Sequence, residues 1–461
     1  MAPTTTTKLA KIFETIILSR VDHWEELLLK GDLAGYEQEL HSLQQQLYGE
    51  ITEYLLNKVG TSLAFKKRLK ILGLSFGLSR LKLRRTRIQV GTGQWIEYRS
   101  YYAHQVEDQP RAVNRQLSQV YWGCVDRASP KYLSVVSMMS VVCPSFEVAR
   151  QVLEEQGVRV KYKRIRRLSV VAGTLGRRLG ISAQLDEGED LAGMRVVVQL
   201  DGGRSRMREN TDKLSSKGYQ KYDTPWREPK LIAIHVLDEK GQIAKTVRNP
   251  LYRAAIQDAA ACFKDLVETL RILKADQAKE VQFLADGAEF IWKRIRGAFR
   301  KAGVAAKKIT YTLDYYHGVE HLKQLSELLP LTKTERDKQF EEWKTWLWEG
   351  LANSIARDFK KQIRRAGLVL NDAMKTAINY FIKHHDRMQY KRFKRRKLLC
   401  GSGLVESAIR RVINLRFKGP SAFWCADNLD KMFVLRCALL SGRWHNLMKA
   451  IELEIKAGGT I

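Results

Sequence analysis

The sequence predicts an α/β protein. A mixed-sheet core at 191–325 is followed by an all-helical insertion at 326–400, and residues 401–461 complete the core. A mainly helical region precedes it. Three observations lead there. Short apolar runs end in a carboxylate and then glycine, at Val196–Asp201 before Gly202-Gly203 and at Val281–Asp286 before Gly287, with a third run ending at Leu313-Asp314. Continuous apolar runs of this length suit strands buried on both faces. Between and after them the apolar spacing changes to the helical period.

The elements follow in order. Leu40, Leu43, Leu47, Ile51 and Leu55 recur at helical spacing, so residues 1–60 read as a helical arm suited to packing or dimerisation. Residues 61–144 are dense in Lys and Arg, and alternating segments around Gly91-Thr92-Gly93 mark a β-hairpin from about Arg87 to Tyr98. At 145–190, Ser145 can cap a helix that Gly157 stops, and a second helix starts near Lys161. That helix carries Lys161, Lys163, Arg164, Arg166 and Arg167, the outline of a helix-turn-helix whose second helix meets DNA. In the core we expect strands at Arg195–Leu200, Lys230–Leu237 and Gln242–Arg248, with Asp238-Glu239-Lys240-Gly241 as a turn. A helix at Ala254–Leu273, a strand at Glu280–Ala285, a helix at Ala288–Lys301, a strand at Lys308–Leu313 and a helix from Gly318 complete it. In the helical insertion Trp343, Trp346 and Trp348 suit core packing better than base stacking.

Composition narrows the function. The 461 residues carry a net charge of +30, from 80 Lys+Arg against 50 Asp+Glu, and 44% are hydrophobic. Such a chain folds, and its charge favours a polyanion, a nucleic acid first of all. The 6 cysteines include no C-x-x-C pair, which argues against a zinc site or disulfide framework and for reduced thiols. No secretory leader is recognisable at Met1-Ala2-Pro3-Thr4, and no apolar run approaches a membrane span of about 20 residues. A soluble intracellular protein with no membrane partner is expected.

Asp201 and Asp286 close two strands at one sheet edge, where the sites of α/β folds gather. The third candidate is Glu406, in the first turns of a helix that follows Gly401-Ser402-Gly403. Carboxylates brought together resist ionising unless a cation compensates them. Two Mg2+ ions, with Mn2+ as a substitute, would do so and would activate displacement at phosphorus. Singly, each Asp-Gly is an ordinary turn and Glu406 an ordinary helix-start acid. Arg204 and Arg206 lie just beyond Asp201; Arg395 and Arg396 precede the glutamate helix, and Arg410, Arg411 and Lys418 follow it. These are candidate phosphate contacts, and Trp424 is a candidate stacking residue that packing would equally explain.

These segments resemble a bacterial insertion-sequence DDE transposase of the Mutator-like branch, with an RNase H-like catalytic domain and a helical insertion before the glutamate helix. The resemblance runs from about Arg195 to Trp444 and rests on Gln199-Leu200-Asp201-Gly202-Gly203, Leu313-Asp314-Tyr315-Tyr316-His317 and Gly401–Trp424. It implies that Asp201, Asp286 and Glu406 are the metal-binding catalytic triad. Asp314 and His317 then match an auxiliary D-x-x-H element that positions the phosphate or the glutamate helix. Asp314 also competes with Asp286 for the second place. The implied activity is cleavage at transposon ends and strand transfer into target DNA by a dimer or larger assembly, in the cytoplasm at the nucleoid. The alternatives are a nuclease or resolvase that cuts without joining, and a DNA-binding protein without turnover.

Overall fold

The computed structural model describes residues 5–105, 115–244, 249–419 and 422–458. The chain forms two compact units, Met1–Gln184 with Trp444–Ile461, and Leu185–Arg443.

In the first unit, helices α1 (Thr5–Leu18), α2 (Val21–Leu29) and α3 (Leu33–Gly60) form the expected arm. Of its apolar stripe Leu43 is buried and Leu55 is exposed, so the arm keeps an open apolar edge. After α4 (Leu63–Ser75) come β1 (Leu78–Gln89) and β2 (Trp95–Gln105), an antiparallel hairpin longer than its sequence signal. Gly93, at φ +81°, closes its turn. The Asn57 side chain of α3 accepts from Arg99 N at 2.9 Å and donates to Glu97 O at 3.2 Å, fixing α3 on β2. Helices α5 (Leu117–Tyr121) and α6 (Pro130–Val142) lead to the expected helix pair, α7 (Phe146–Glu155) and α8 (Tyr162–Leu179). Ser145 Oγ accepts from Val148 N at 3.0 Å, and Gly157 turns the chain at φ +74°. Ile165, Leu168, Ala172 and Leu175 form the buried stripe of α8.

The second unit holds a five-stranded sheet of β3 (Arg195–Gly202), β8 (Lys230–Leu237), β9 (Leu251–Ala255), β10 (Glu280–Ala285) and β11 (Ile309–Leu313). Its order is β11-β10-β3-β8-β9; β11, β10 and β3 are parallel, while β8 and β9 run antiparallel to their neighbours. Between β3 and β8 stands a small arm, in which β4 (Ser205–Arg206) pairs with β7 (Trp226–Arg227) and β5 (Glu209–Leu214) with β6 (Gln220–Asp223). One sheet face is covered by α9 (Ala259–Ile272) and α10 (Glu289–Lys301): Arg253 pairs with Asp265, and Phe283 meets Trp292 and Phe299. After α11 (Tyr315–Glu327), the insertion consists of α12 (Lys333–Trp348), α13 (Ala352–Arg365), α14 (Asp372–His384) and α15 (Tyr390–Arg395). Trp343 is fully buried there and donates to Asp358 at 3.0 Å, a core role as its spacing suggested.

The other face carries α16 (Gly403–Ile409), which packs against β3 and β8 and runs through a π-helical segment at Arg410–Asn414 into α17 (Leu415–Phe417). Helix α18 (Ala426–Leu440) packs against β9.

Three expectations need correction. The third strand is Leu251–Ala255, not Gln242–Arg248. Of the expected segment Ile243 makes a single bridge to Leu237, and residues 245–248 lie outside the described chain. The following helix starts at Ala259, because Asp258 accepts from Ala261 N at 2.8 Å and so caps it there. Residues 401–461 do not all complete the core: α19 (Trp444–Lys456) buries Trp444, Leu447, Ile451 and Ile455 within the first unit, where it packs against α8.

Candidate active site

Strand β3 delivers Asp201 to the sheet edge and ends at Gly202, still paired with Lys230 of β8. A Cβ on Gly203 would lie 2.7 Å from Ile413 Cδ1 and 3.1 Å from its Cγ2, so a larger residue would push the Ile413 side chain of the π-helical segment aside. Leu284 pairs with Gln199 in the parallel β3–β10 register. Two residues further along both strands, Asp286 falls beside Asp201. The electrostatics carry the mark of that adjacency. Burial first, and then the charges of Asp286 and Glu228, raise the Asp201 carboxyl to about 6 against the Gly202 N–H and His317, which oppose them. Asp201 Oδ1 accepts from Gly202 N at 2.6 Å, and Asp286 Oδ1 accepts from Ala288 N at 2.9 Å. Both carboxylates keep the rest of their acceptor capacity.

Asp314 has a different role. It is 1% exposed, caps α11 by accepting from Tyr316 N at 2.7 Å, and accepts from Ser402 N at 3.2 Å. Ser402 Oγ in turn donates to Glu406 Oε1. Asp314 is thus joined through Ser402 to the glutamate. Gln282 strengthens the same joint: its amide accepts from Leu399 N at 3.0 Å and donates to Leu399 O at 2.6 Å, pinning the approach to α16 on the sheet.

Glu406 is exposed at the start of α16, on the face of the sheet to which Asp201 belongs. It is not among the charges acting on Asp201, and among the described residues no three His, Cys, Asp or Glu side chains stand together as a metal cage. The expected three-way meeting of Asp201, Asp286 and Glu406 is therefore reduced to a pair of carboxylates with a tethered third. A pair fits the demands of Mg2+, which binds through one or two protein carboxylates and fills its shell with water and phosphate.

One residue missed in the sequence borders the pair, together with the expected His317. Tyr380 covers Gly287, where a Cβ would lie 2.6 Å from its ring, and stacks on His321 at 3.8 Å. No local signal places a residue of the helical insertion there. His317 is half-buried and its positive form favours ionised Asp201.

The basic candidates divide by environment. Arg204, Arg206, Arg395, Arg410 and Lys418 are exposed. Arg396 is bound to Glu280 and to Thr310, and Arg411 donates to Tyr252 Oη at 2.7 Å, so both brace the sheet. Trp424 is 9% exposed and packs edge-on against Phe417 at 5.3 Å, which withdraws it from stacking on a base. In the first unit Lys161, Lys163, Arg166 and Arg167 are exposed, whereas Arg164 is mostly buried and paired with Asp126. Arg167 also pairs with Asp126, at 2.7 Å.

No helix of the described residues is long and apolar enough to cross a membrane. No protein-family model matches the chain, and no curated protein matches it. Among solved structures, the Drosophila P element transposase strand transfer complex aligns with 70% of this chain and 80% of that chain, at 12% identity and a TM-score of 0.25.

Proposed function

We propose that the protein is a DNA transposase with an RNase H-like core, in which Asp201 and Asp286 hold the catalytic divalent cations and Glu406 completes their ligand set. The observation that supports this best is the raised carboxyl of Asp201 beside Asp286, where burial and the neighbouring acid outweigh the help of the Gly202 N–H and His317. Bound Mg2+ or Mn2+ supplies charge compensation and activates an oxygen for in-line attack at phosphorus. The chain's own groups do the rest. Asp201 and Asp286 bind, Asp314 and Ser402 hold Glu406 ready to swing inward, and His317 favours ionised Asp201. Exposed Arg204, Arg410 and Lys418 orient the DNA backbone without reading its sequence. The exposed cations of α8 suit recognition of the element's terminal inverted repeats. Joining two ends requires at least a dimer, and the open apolar edge of the arm suits that association.

A precleaved DNA duplex carrying a terminal inverted repeat, sought in the genomic sequence on either side of the reading frame, incubated with target plasmid and Mg2+, tests the proposal. Strand transfer is expected from the wild type and is expected to vanish in Asp201→Ala, Asp286→Ala and Glu406→Ala while duplex binding persists. Asp314→Ala should impair transfer together with thermal stability, because its partners are structural. Cutting without joining would favour a nuclease or resolvase. Transfer that survives all three triad substitutions would refute the site.

A further inference from the structure

The arm between β3 and β8 has a surface that its packing does not explain. Tyr222 and Trp226 are 41% and 47% exposed, on strands too short to bury a core of their own. Cations are threaded among the rings: Arg206 lies 5.2 Å from Trp226 and 5.8 Å from Phe423, and Arg208 lies 4.2 Å from Tyr222. The floor is rigid, since Met207 bridges Trp424, Arg208 N donates to Trp424 O at 2.8 Å and Trp424 N to Arg206 O at 3.1 Å. Exposed rings on two successive short strands, each beside an arginine, match what unpaired bases and their phosphates require. A duplex offers phosphates but keeps its base faces stacked inside.

We infer that this arm binds a single-stranded DNA segment, with bases stacked on Trp226 and Tyr222 and phosphates on Arg206 and Arg208. Arg206 is five residues from Asp201, so the two Cα atoms are at most about 18 Å apart, within reach of a few nucleotides. The role of that strand, an unpaired end held beside the cut, rests on the transposase reading; the binding itself does not.

Fluorescence anisotropy of a labelled oligo-dT, measured on the full chain in EDTA beside a duplex of equal length, tests the inference. No chemistry is involved, so failure of the catalytic assignment leaves this readout intact. The doubly substituted Trp226→Ala/Tyr222→Ala protein should bind oligo-dT at least ~10-fold more weakly, with duplex affinity changed less than about two-fold. The Trp226→Phe/Tyr222→Phe protein keeps both ring faces and should stay within about three-fold of the wild type. Absence of oligo-dT binding by the wild type, an unchanged affinity in the alanine pair, or an equal fall for single strand and duplex would each overturn it.

Discussion

Asp201 shows how a buried acid beside another costs stability at a single residue. Its carboxyl is raised from 3.8 to about 6, chiefly by burial and then by Asp286. A carboxyl raised on folding stabilises the fold fully below its unfolded value, and that contribution is lost as pH rises through about 6. Without divalent cations, Asp201→Asn should therefore melt higher than the wild type at pH 8, by about 2–4 °C per kcal/mol recovered, and the gain should shrink toward pH 4.5. Differential scanning calorimetry at the two pH values checks this, and an equal gain at both would contradict it. Ser402 is the second residue of consequence. Ser402→Ala removes the hydroxyl that holds Glu406 and should lower strand transfer about 10-fold with little change in melting temperature. Ser402 was legible in principle, four residues before Glu406 across a helix start, yet nothing in the sequence marked it as more than a helix breaker.

Among the elements, those that continuous apolar runs announce were found where the sequence placed them: β8 and β10 match to the residue, and β3 gains only its last two positions. Strand β9 escaped because Asn249-Pro250 and Arg253 interrupt its apolar run and two alanines suggest a helix. The arm escaped because Glu209–Leu214 is exposed at five of six positions and has no apolar face to give it a period. Nor could periodicity show that Gln282, inside a strand, pairs with Leu399 of a remote segment. Gln282→Leu should leave both Leu399 backbone groups unpaired and cost about 1–3 kcal/mol. Thermal melts and transfer assays should fall together there, whereas Ser402→Ala should separate them.

The whole molecule divides its excess charge between two units, and the sequence showed the excess without its division. The amphipathic pattern of α19 likewise said that the helix packs, not in which unit. On α8, substituting both Lys163 and Arg166 with Ala should weaken duplex binding and lower the salt dependence by about one counterion for each phosphate the helix no longer neutralises. Arg164→Ala should instead cost stability, about 2 kcal/mol, because it removes the buried one of the two arginines that pair with Asp126. A titration series across salt concentrations distinguishes the two. All of this surrounds one pair of carboxylates, and its capacity for a divalent ion can be measured without DNA. Isothermal titration of Mn2+ into the wild type, Asp201→Asn and Asp286→Asn at pH 8 should show a site in the wild type that is absent from both variants. Equal binding by all three proteins would contradict a catalytic pair at this sheet edge.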